Sequence, residues 1–399
     1  MKNIIYLLLI LTLNKSYSQV SHLNRGGIMS VNYYEEIDFE FIRNKIVIPV
    51  QIKGKTYRFV LDTGAPNVLS KELADVIQPA LLDSISIRDA NGNKGMLNTV
   101  SLDSFQLGNL TFEHTAALVF DLSTSPVFGC FGIDGLIGSN VLRNSIISID
   151  AKNKKLIITD QEAKLSLKKK EAEKIDLSKN QSSPYLWLRL RGKDHAREQV
   201  LIDTGADGLY DLAKKHYEIF QKQDIFSVSG ESEGASTFGI FGGGSKNKQY
   251  KLVLPVLEIN DIQLTRVVTN TMDDNESRIG ARLLEYGVMI IDYKNKRFYF
   301  KAYSKTVPAA KPDYGFSQTL NGNKLIVGFV WDEQLKSRLK YGDEITEMNH
   351  VVINESSLCD LVVGKLDFPD QNTVVLKIKT ETGEEFELSI DKKLPPKAE

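Results

Sequence analysis

The tetrapeptide Asp-Thr-Gly-Ala occurs twice in this chain of 399 residues, at 62–65 and at 203–206. The surroundings of the two copies match. Residues 46–61 alternate apolar and polar side chains, turn at Lys53-Gly54-Lys55 and alternate again; residues 186–202 do the same around Gly192-Lys193-Asp194. Each stretch reads as a β-hairpin that delivers an aspartate at a strand end. Downstream, GLIGSNVLRNSIISIDAKNKKLII (135–158) faces SRIGARLLEYGVMIIDYKNKRFYF (277–300). Asp62 lies 76 residues before Gly138 and Asp203 lies 77 before Gly280; the intervals to Asp150 and Asp292 are 88 and 89. A register held to one residue over that span means two homologous lobes of one architecture. Short alternating segments dominate both lobes, so each is expected to be mainly β. Short helices are expected after each turn (SKELADVI, DLAKKHYEIF) and after each Ile-Gly (SNVLRN, ARLLEYG).

A chain this long exceeds one core, and two or three domains are expected. Hydrophobic residues make up 42% and charged residues 25%, with a formal net charge of −1. No overall field would draw such a chain to nucleic acid or to an anionic membrane. The N-terminus carries Lys2, the apolar stretch Ile4–Leu13 and then small and polar residues. That pattern is a signal peptide over 1–18, cleaved near Ser18–Gln19, and its apolar stretch is too short to span a bilayer. No cysteine near the cleavage point offers a lipid anchor, and no later stretch reads as a transmembrane helix. The expectation is an exported, soluble protein, periplasmic or extracellular. Cys130 and Cys359 fall in different expected domains and read as two partly buried free thiols. His22, His114, His195, His216 and His350 show no metal-ligand spacing, so neither metal nor cofactor is expected.

The repeated aspartate has a chemical use. Two carboxylates about 3 Å apart cannot both ionise and share one proton. One can then take a proton from water while the other donates to a carbonyl oxygen. The glycine is expected to allow a tight turn whose backbone N–H groups hold the carboxylate. The threonine hydroxyl can hydrogen-bond across to the other lobe and lock the pair.

With these residues the sequence resembles the aspartic proteases over about 40–303. The Asp-Thr-Gly-Ala form is similar to the retroviral-type, retropepsin-like branch, here with both halves in one chain. Leu136-Ile137-Gly138 fits the family's downstream segment; Arg278-Ile279-Gly280 departs from it, with arginine where an apolar residue is expected. The resemblance implies peptide-bond hydrolysis between two lobes, with Asp62 and Asp203 as the catalytic dyad. Thr63, Gly64, Ala65, Thr204, Gly205 and Ala206 would support that dyad, and no cofactor is implied. The family covers its substrate with a hairpin flap. Residues 85–100, with Asn91-Gly92 as a turn signal, hold that position in the first lobe. The glycine-rich and therefore mobile 227–246 holds it in the second, with Phe238 or Phe241 as covering residues. A binding protein that holds peptides without cutting them, or a structural envelope protein, remains the rival reading; two mutually repelling carboxylates speak against both.

GESEG (230–234) fits a nucleophile elbow, but no helix is expected after it. GIFGGGSK (239–246) nearly forms a phosphate loop, with its last two residues in the wrong order. Past a proline-bearing linker at 304–313 the repeat stops. Gly315-Phe316 and the GDEITEMN of 342–349 resemble a bacterial PDZ domain, which implies peptide binding along a sheet edge with the carboxylate on backbone N–H groups. Tyr314, Gly315 and Phe316 are the peptide-binding candidates; a generic small α+β domain is the alternative. The expected fold is a mainly β, bilobal pepsin/retropepsin-like acid protease followed by a small α+β PDZ-like domain. Its parts are an N-terminal lobe (28–160), a solvated interlobe linker (161–179), a C-terminal lobe (180–303) and the PDZ-like domain (314–391). Residues 19–40 are either a propeptide or an added strand. The expected partners are a peptide or protein substrate, with a C-terminal peptide at the PDZ-like domain, and the active unit is a monomer.

Overall fold

A computed structural model describes residues 23–88, 93–235, 238–239, 242–366 and 371–396. The expected signal peptide, the flap-tip residues Asn91 and Gly92, and Phe241 lie outside them. The fold is mainly β and bilobal, with a small α+β unit at the C-terminal end.

Each lobe is built around one hairpin. Strand Lys45–Ile52 pairs with Lys55–Asp62, and strand Pro184–Arg191 pairs with His195–Asp203. In the first, Lys53 and Gly54 both take positive φ (50° and 75°), the handedness that a two-residue hairpin turn requires. The alternation in sequence becomes alternation in burial: along Pro184–Arg191, Leu186, Leu188 and Leu190 are buried while Trp187 and Arg189 are exposed. The Ile-Gly segments lie parallel to the aspartate strands in one shared register. Gly138 stands beside Asp62 and Gly280 beside Asp203. That pairing is the physical content of the matched spacing.

The lobes join through strands that each contributes to one sheet. Ile146–Asp150 pairs antiparallel with Gly287–Asp292, flanked by Lys155–Thr159 and Tyr34–Asp38 on one side and Arg297–Ala302 and Glu173–Leu177 on the other. Ile147, Ile149, Leu156, Met289, Ile291 and Phe298, all fully buried, run through it into the main core. Asp150 and Asp292, the other aspartates of the repeat, serve turns. Asn153 donates its backbone N–H to Asp150 (3.0 Å), and Asn295 does the same to Asp292 (2.8 Å).

Three expectations change here. The span 161–179 is more than a solvated linker, because Glu173–Leu177 completes the interlobe sheet, with Ile175 as its buried residue. The added-strand alternative describes part of residues 19–40, with Tyr34–Asp38 in the sheet and Gly27–Ile28 paired to Phe112 and Glu113. The linker at 304–313 is also docked: Thr306–Pro308 pairs with Gln263–Thr265, and Asp313 forms an ion pair with Lys251 (2.5 Å).

The C-terminal unit is an antiparallel sheet, ordered Phe316–Asn321, Lys324–Val330, Glu344–Met348, Thr373–Lys379, Glu385–Asp391, with the helix Glu355–Val362. Leu358, Val327, Leu376 and Ile378 are among its own core residues. Asn354 caps the helix and Ser357 reciprocates, a capping box. The unit is fastened to both lobes. Cys359 on this helix forms a disulfide with Cys130 on the N-lobe helix Pro126–Phe131, so the expectation of two free thiols is wrong. Two distant cysteines are no framework in sequence, but the folded chain brings the two helices together. Val362 and Val363 join Val127, Phe128 and the flap residues Ile85, Ile87 and Leu97 in one apolar cluster.

Within the expected second flap, the described strand Ser227–Gly234 is held against the C-terminal unit. Val330 donates its N–H to the Ser232 hydroxyl (2.9 Å). A Cβ on Gly234 would lie 2.1 Å from the Gly328 carbonyl oxygen, and one on Gly230 would lie 2.8 Å from that of Trp331. These glycines serve close packing. GESEG lies within the strand Ser227–Gly234, so no elbow forms.

Candidate active site

The two Asp-Thr-Gly-Ala turns meet at the lobe junction. The Thr63 N–H donates to the Thr204 hydroxyl and the Thr204 N–H to the Thr63 hydroxyl, both at 3.0 Å. Each hydroxyl donates in turn to a backbone carbonyl of the opposite lobe, Thr63 to Ile202 (2.6 Å) and Thr204 to Leu61 (2.8 Å). Both threonines are fully buried, so these four bonds are shielded from water and every donor is satisfied.

The carboxylates are held alike. Gly64 and Ala65 donate their N–H groups to Asp62 Oδ1 (both 3.0 Å), and Gly205 and Ala206 donate theirs to Asp203 Oδ1 (2.9 and 3.1 Å). The expected turns are present at Thr63-Gly64 and Thr204-Gly205, but neither glycine takes a positive φ, so the need for glycine there has a further cause. A Cβ on Gly64 would lie 2.6 Å from Asp203 Cγ, and one on Gly205 would lie 2.4 Å from Asp62 Cγ. Glycine is needed because the other lobe's carboxylate presses on it.

Four residues here carried no signal of a site role in the sequence. Lys45 of the N-lobe donates to the Gly205 carbonyl. Gln181 and Ser183, N-terminal to the C-lobe hairpin, donate to the Gly64 carbonyl (3.0 and 3.3 Å). Tyr293, buried just after the interlobe strand, shares a hydrogen bond with Ser139 (2.8 Å), which donates to the Thr63 carbonyl (2.7 Å). A single polar residue in a strand or loop forms no pattern that would mark it.

Arg278, the departure from the family pattern, has a partner. Its guanidinium donates to Asp203 Oδ2 (3.1 Å) and pairs with Asp274. The equivalent N-lobe residue, Leu136, is buried among Val60 and Val68. Burial opposes the charge on Arg278, yet Asp203, Asp274 and Asp211 together raise its pKa further. The pKa of Asp62 is pushed up to about 7, first by burial and then by the charge of Asp203; Lys45 and the Gly64 and Ala65 N–H groups pull the other way. Asp211 rises to about 6, again chiefly by burial, with Arg278 opposing.

Next to Arg278, the buried Ser277 hydroxyl lies 2.5 Å from Glu198 and 3.2 Å from His216 Nδ1, and His216 Nδ1 is 2.6 Å from Glu198. Tyr210 donates to the same carboxylate. Ser277 is fully buried and accepts the Ala213 N–H (2.8 Å), so the group satisfies a buried carboxylate and presents no nucleophile.

The remaining described candidates belong to other elements. Phe238 belongs to a two-residue strand paired with Gly242–Gly243. Phe316 opens the first strand of the C-terminal unit. Gly315 gives its N–H to Asp313 (2.8 Å) and its carbonyl to Trp331 and Asp332, so that N–H is not free to hold a peptide carboxylate. Among the described residues no cluster of His, Cys, Asp and Glu fits a metal ion.

Residues 48–141 match the aspartyl protease family. Among solved structures the chain is similar to an aspartic proteinase from Irpex lacteus, at 14% identity and TM-score 0.44, covering 69% of this chain and 99% of that one. It is also similar to a retropepsin-like aspartic protease from Rickettsia conorii, at 21% identity and TM-score 0.24, covering 32% of this chain and 94% of that one. No curated protein matches. The paired turns and the match over 48–141 support an aspartic-type peptidase.

Proposed function

We propose that the chain is an exported endopeptidase in which Asp62 and Asp203 activate a water molecule against a peptide carbonyl, within one chain. The observation that carries this reading is the reciprocal pair of threonine bonds. They set two Oδ1-anchored carboxylates against the opposite glycines, and among the described residues no backbone N–H donates to either Oδ2. Sharing one proton, the pair has a base for water and an acid for the carbonyl oxygen. The Cys130–Cys359 disulfide supports an oxidising compartment, in keeping with the signal-like N-terminus. Among the described residues no helix is long and apolar enough to cross a membrane.

The C-terminal unit serves, on this reading, to recruit a peptide along the edge strand Phe316–Asn321, whose only strand partner among the described residues is Lys324–Val330. Digestion of a peptide library by the purified protein tests the enzyme. Cleavage at defined bonds, blocked by a statine-type transition-state mimic, is the expected result; peptide binding with no cleavage at any pH would favour the binding-protein reading.

A further inference from the structure

Resting on the reading of Asp62 and Asp203 as a dyad, we infer that Arg278 is a positioning residue that makes the two aspartates unequal, fixing Asp203 as the carboxylate and Asp62 as the keeper of the shared proton.

The argument is one of place. Arg278 lies in strand Arg278–Gly280, two residues before the glycine that pairs with Asp203, and Leu201 stands directly beside it. Its side chain therefore runs along the aspartate strand toward Asp203. One guanidinium nitrogen meets Asp203 Oδ2, the oxygen that the backbone leaves unheld, and the other meets Asp274. Both side chains of the Asp203 pair are largely buried, at 12% and 8% exposure, where a charge pair is weakly screened. The same position in the other lobe is Leu136, so Asp62 receives no such partner.

The remaining charged and titratable groups around the pair come from several elements. Asp207 and Asp211 lie beyond the C-lobe turn, Tyr185 on the first hairpin strand, Tyr293 after the interlobe strand, and Lys45 on the N-lobe hairpin. Lys45 acts on Asp62 through its charge while it donates to the Gly205 carbonyl, and among the described residues no arginine is hydrogen-bonded or ion-paired to Asp62 as Arg278 is to Asp203. In the reaction, Asp203 takes a proton from water as the water oxygen bonds to the carbonyl carbon. The carbonyl π electrons move to oxygen, which takes the Asp62 proton. The result is a tetrahedral diol, a protonated Asp203 and an ionised Asp62.

The test copies the N-lobe residue into the C-lobe. In Arg278→Leu, loss of the neighbouring cation moves the acidic limb of the kcat/KM profile up by about one pH unit or more, and Arg278→Lys moves it less. A drop in activity with an unmoved acidic limb, or a lysine variant shifted as far as the leucine one, overturns the assignment. A readout that needs neither activity nor an Arg278 variant comes from infrared spectra of Asp62→Asn and Asp203→Asn. The carboxyl band of the remaining aspartate persists to higher pH in Asp203→Asn than in Asp62→Asn. Equal titration in the two variants overturns the proposal even if Arg278→Leu does not fold. A chain that cuts no peptide but shows unequal titration would instead remove the peptidase reading and leave the role of Arg278 standing.

Discussion

The two lobes present one backbone arrangement in two electrical settings. Asp62 and Asp203 each accept two N–H bonds at Oδ1 and stand beside Gly138 and Gly280 in the same register. Yet two residues before those glycines one lobe has Leu136 in an apolar cluster and the other has Arg278 on Asp203. The threonine bonds explain how both can be true. They need both turns at once, so neither backbone can drift without breaking a bond of the other. The position on the neighbouring strand is under no such mutual constraint and is free to differ.

The geometric half of the comparison breaks first if the carboxylates are not used jointly. Asp62→Asn and Asp203→Asn are each expected to lower kcat by roughly 10²–10⁴-fold or more. A mixture of the two variants stays inactive, because the threonine bonds lie within one chain. Activity regained on mixing would show that sites form between chains. A smaller but still large effect is expected at the glycines. Gly64→Ala and Gly205→Ala each press a methyl group into the opposite carboxylate, and a displacement on the order of 1 Å can lower the rate about 10²-fold. Matching losses would support equal geometry; a loss in one variant alone would show that only one lobe presses on its neighbour.

How much of this could be read from sequence follows the same division. The duplicated hairpins, the Ile-Gly partners and the threonine lock are repeated patterns, and repetition made them visible. Glu173–Leu177 was not, because it is five residues long, has only Ile175 and Leu177 as apolar residues, and begins within the lysine-rich run of 168–174. The Cys130–Cys359 bond depends on how the helix Glu355–Val362 docks on the N-lobe, a fact spread over Val127, Phe128, Val362 and Val363 rather than held in any motif. Arg278 stood out only as an exception. Its meaning required Asp203 and Asp274 in three dimensions.

The C-terminal unit extends the contrast, since it meets the lobes by different chemistry. Toward the N-lobe it offers the disulfide and an apolar helix face; toward the C-lobe it offers Ser232–Val330 and Lys251–Asp313. Replacing both cysteines with serine frees a loop closed over 229 residues of sequence. The expected loss is about 2–4 kcal/mol of stability in chemical denaturation, with short-peptide cleavage retained below the transition. An unchanged midpoint would mean that the non-covalent contacts carry the attachment.

The smallest effect tests the electrical half of the comparison directly. A carboxyl whose pKa is higher folded than unfolded favours the native state through the proton it keeps. For Asp62 that advantage is full below about pH 4 and is lost as the pH rises through about 7. Above that pH the native site must hold a poorly solvated charge beside Asp203. Asp62→Asn removes the charge, so the variant is expected to be more stable than the wild type at pH 8 and to match it near pH 4. Asp62 keeps part of its surface in solvent, which limits the gain to about 1–2 kcal/mol. Asp203→Asn does the reverse. It takes a carboxylate from a buried arginine that retains Asp274, and the expected loss is about 1–3 kcal/mol at pH 8, less than for a pair left wholly unmatched. Thermal melts of the two variants at pH 4 and pH 8 decide the matter: shifts of opposite sign at pH 8 mark lobes that differ in charge, and shifts of equal sign and size would reduce Arg278 to a bystander.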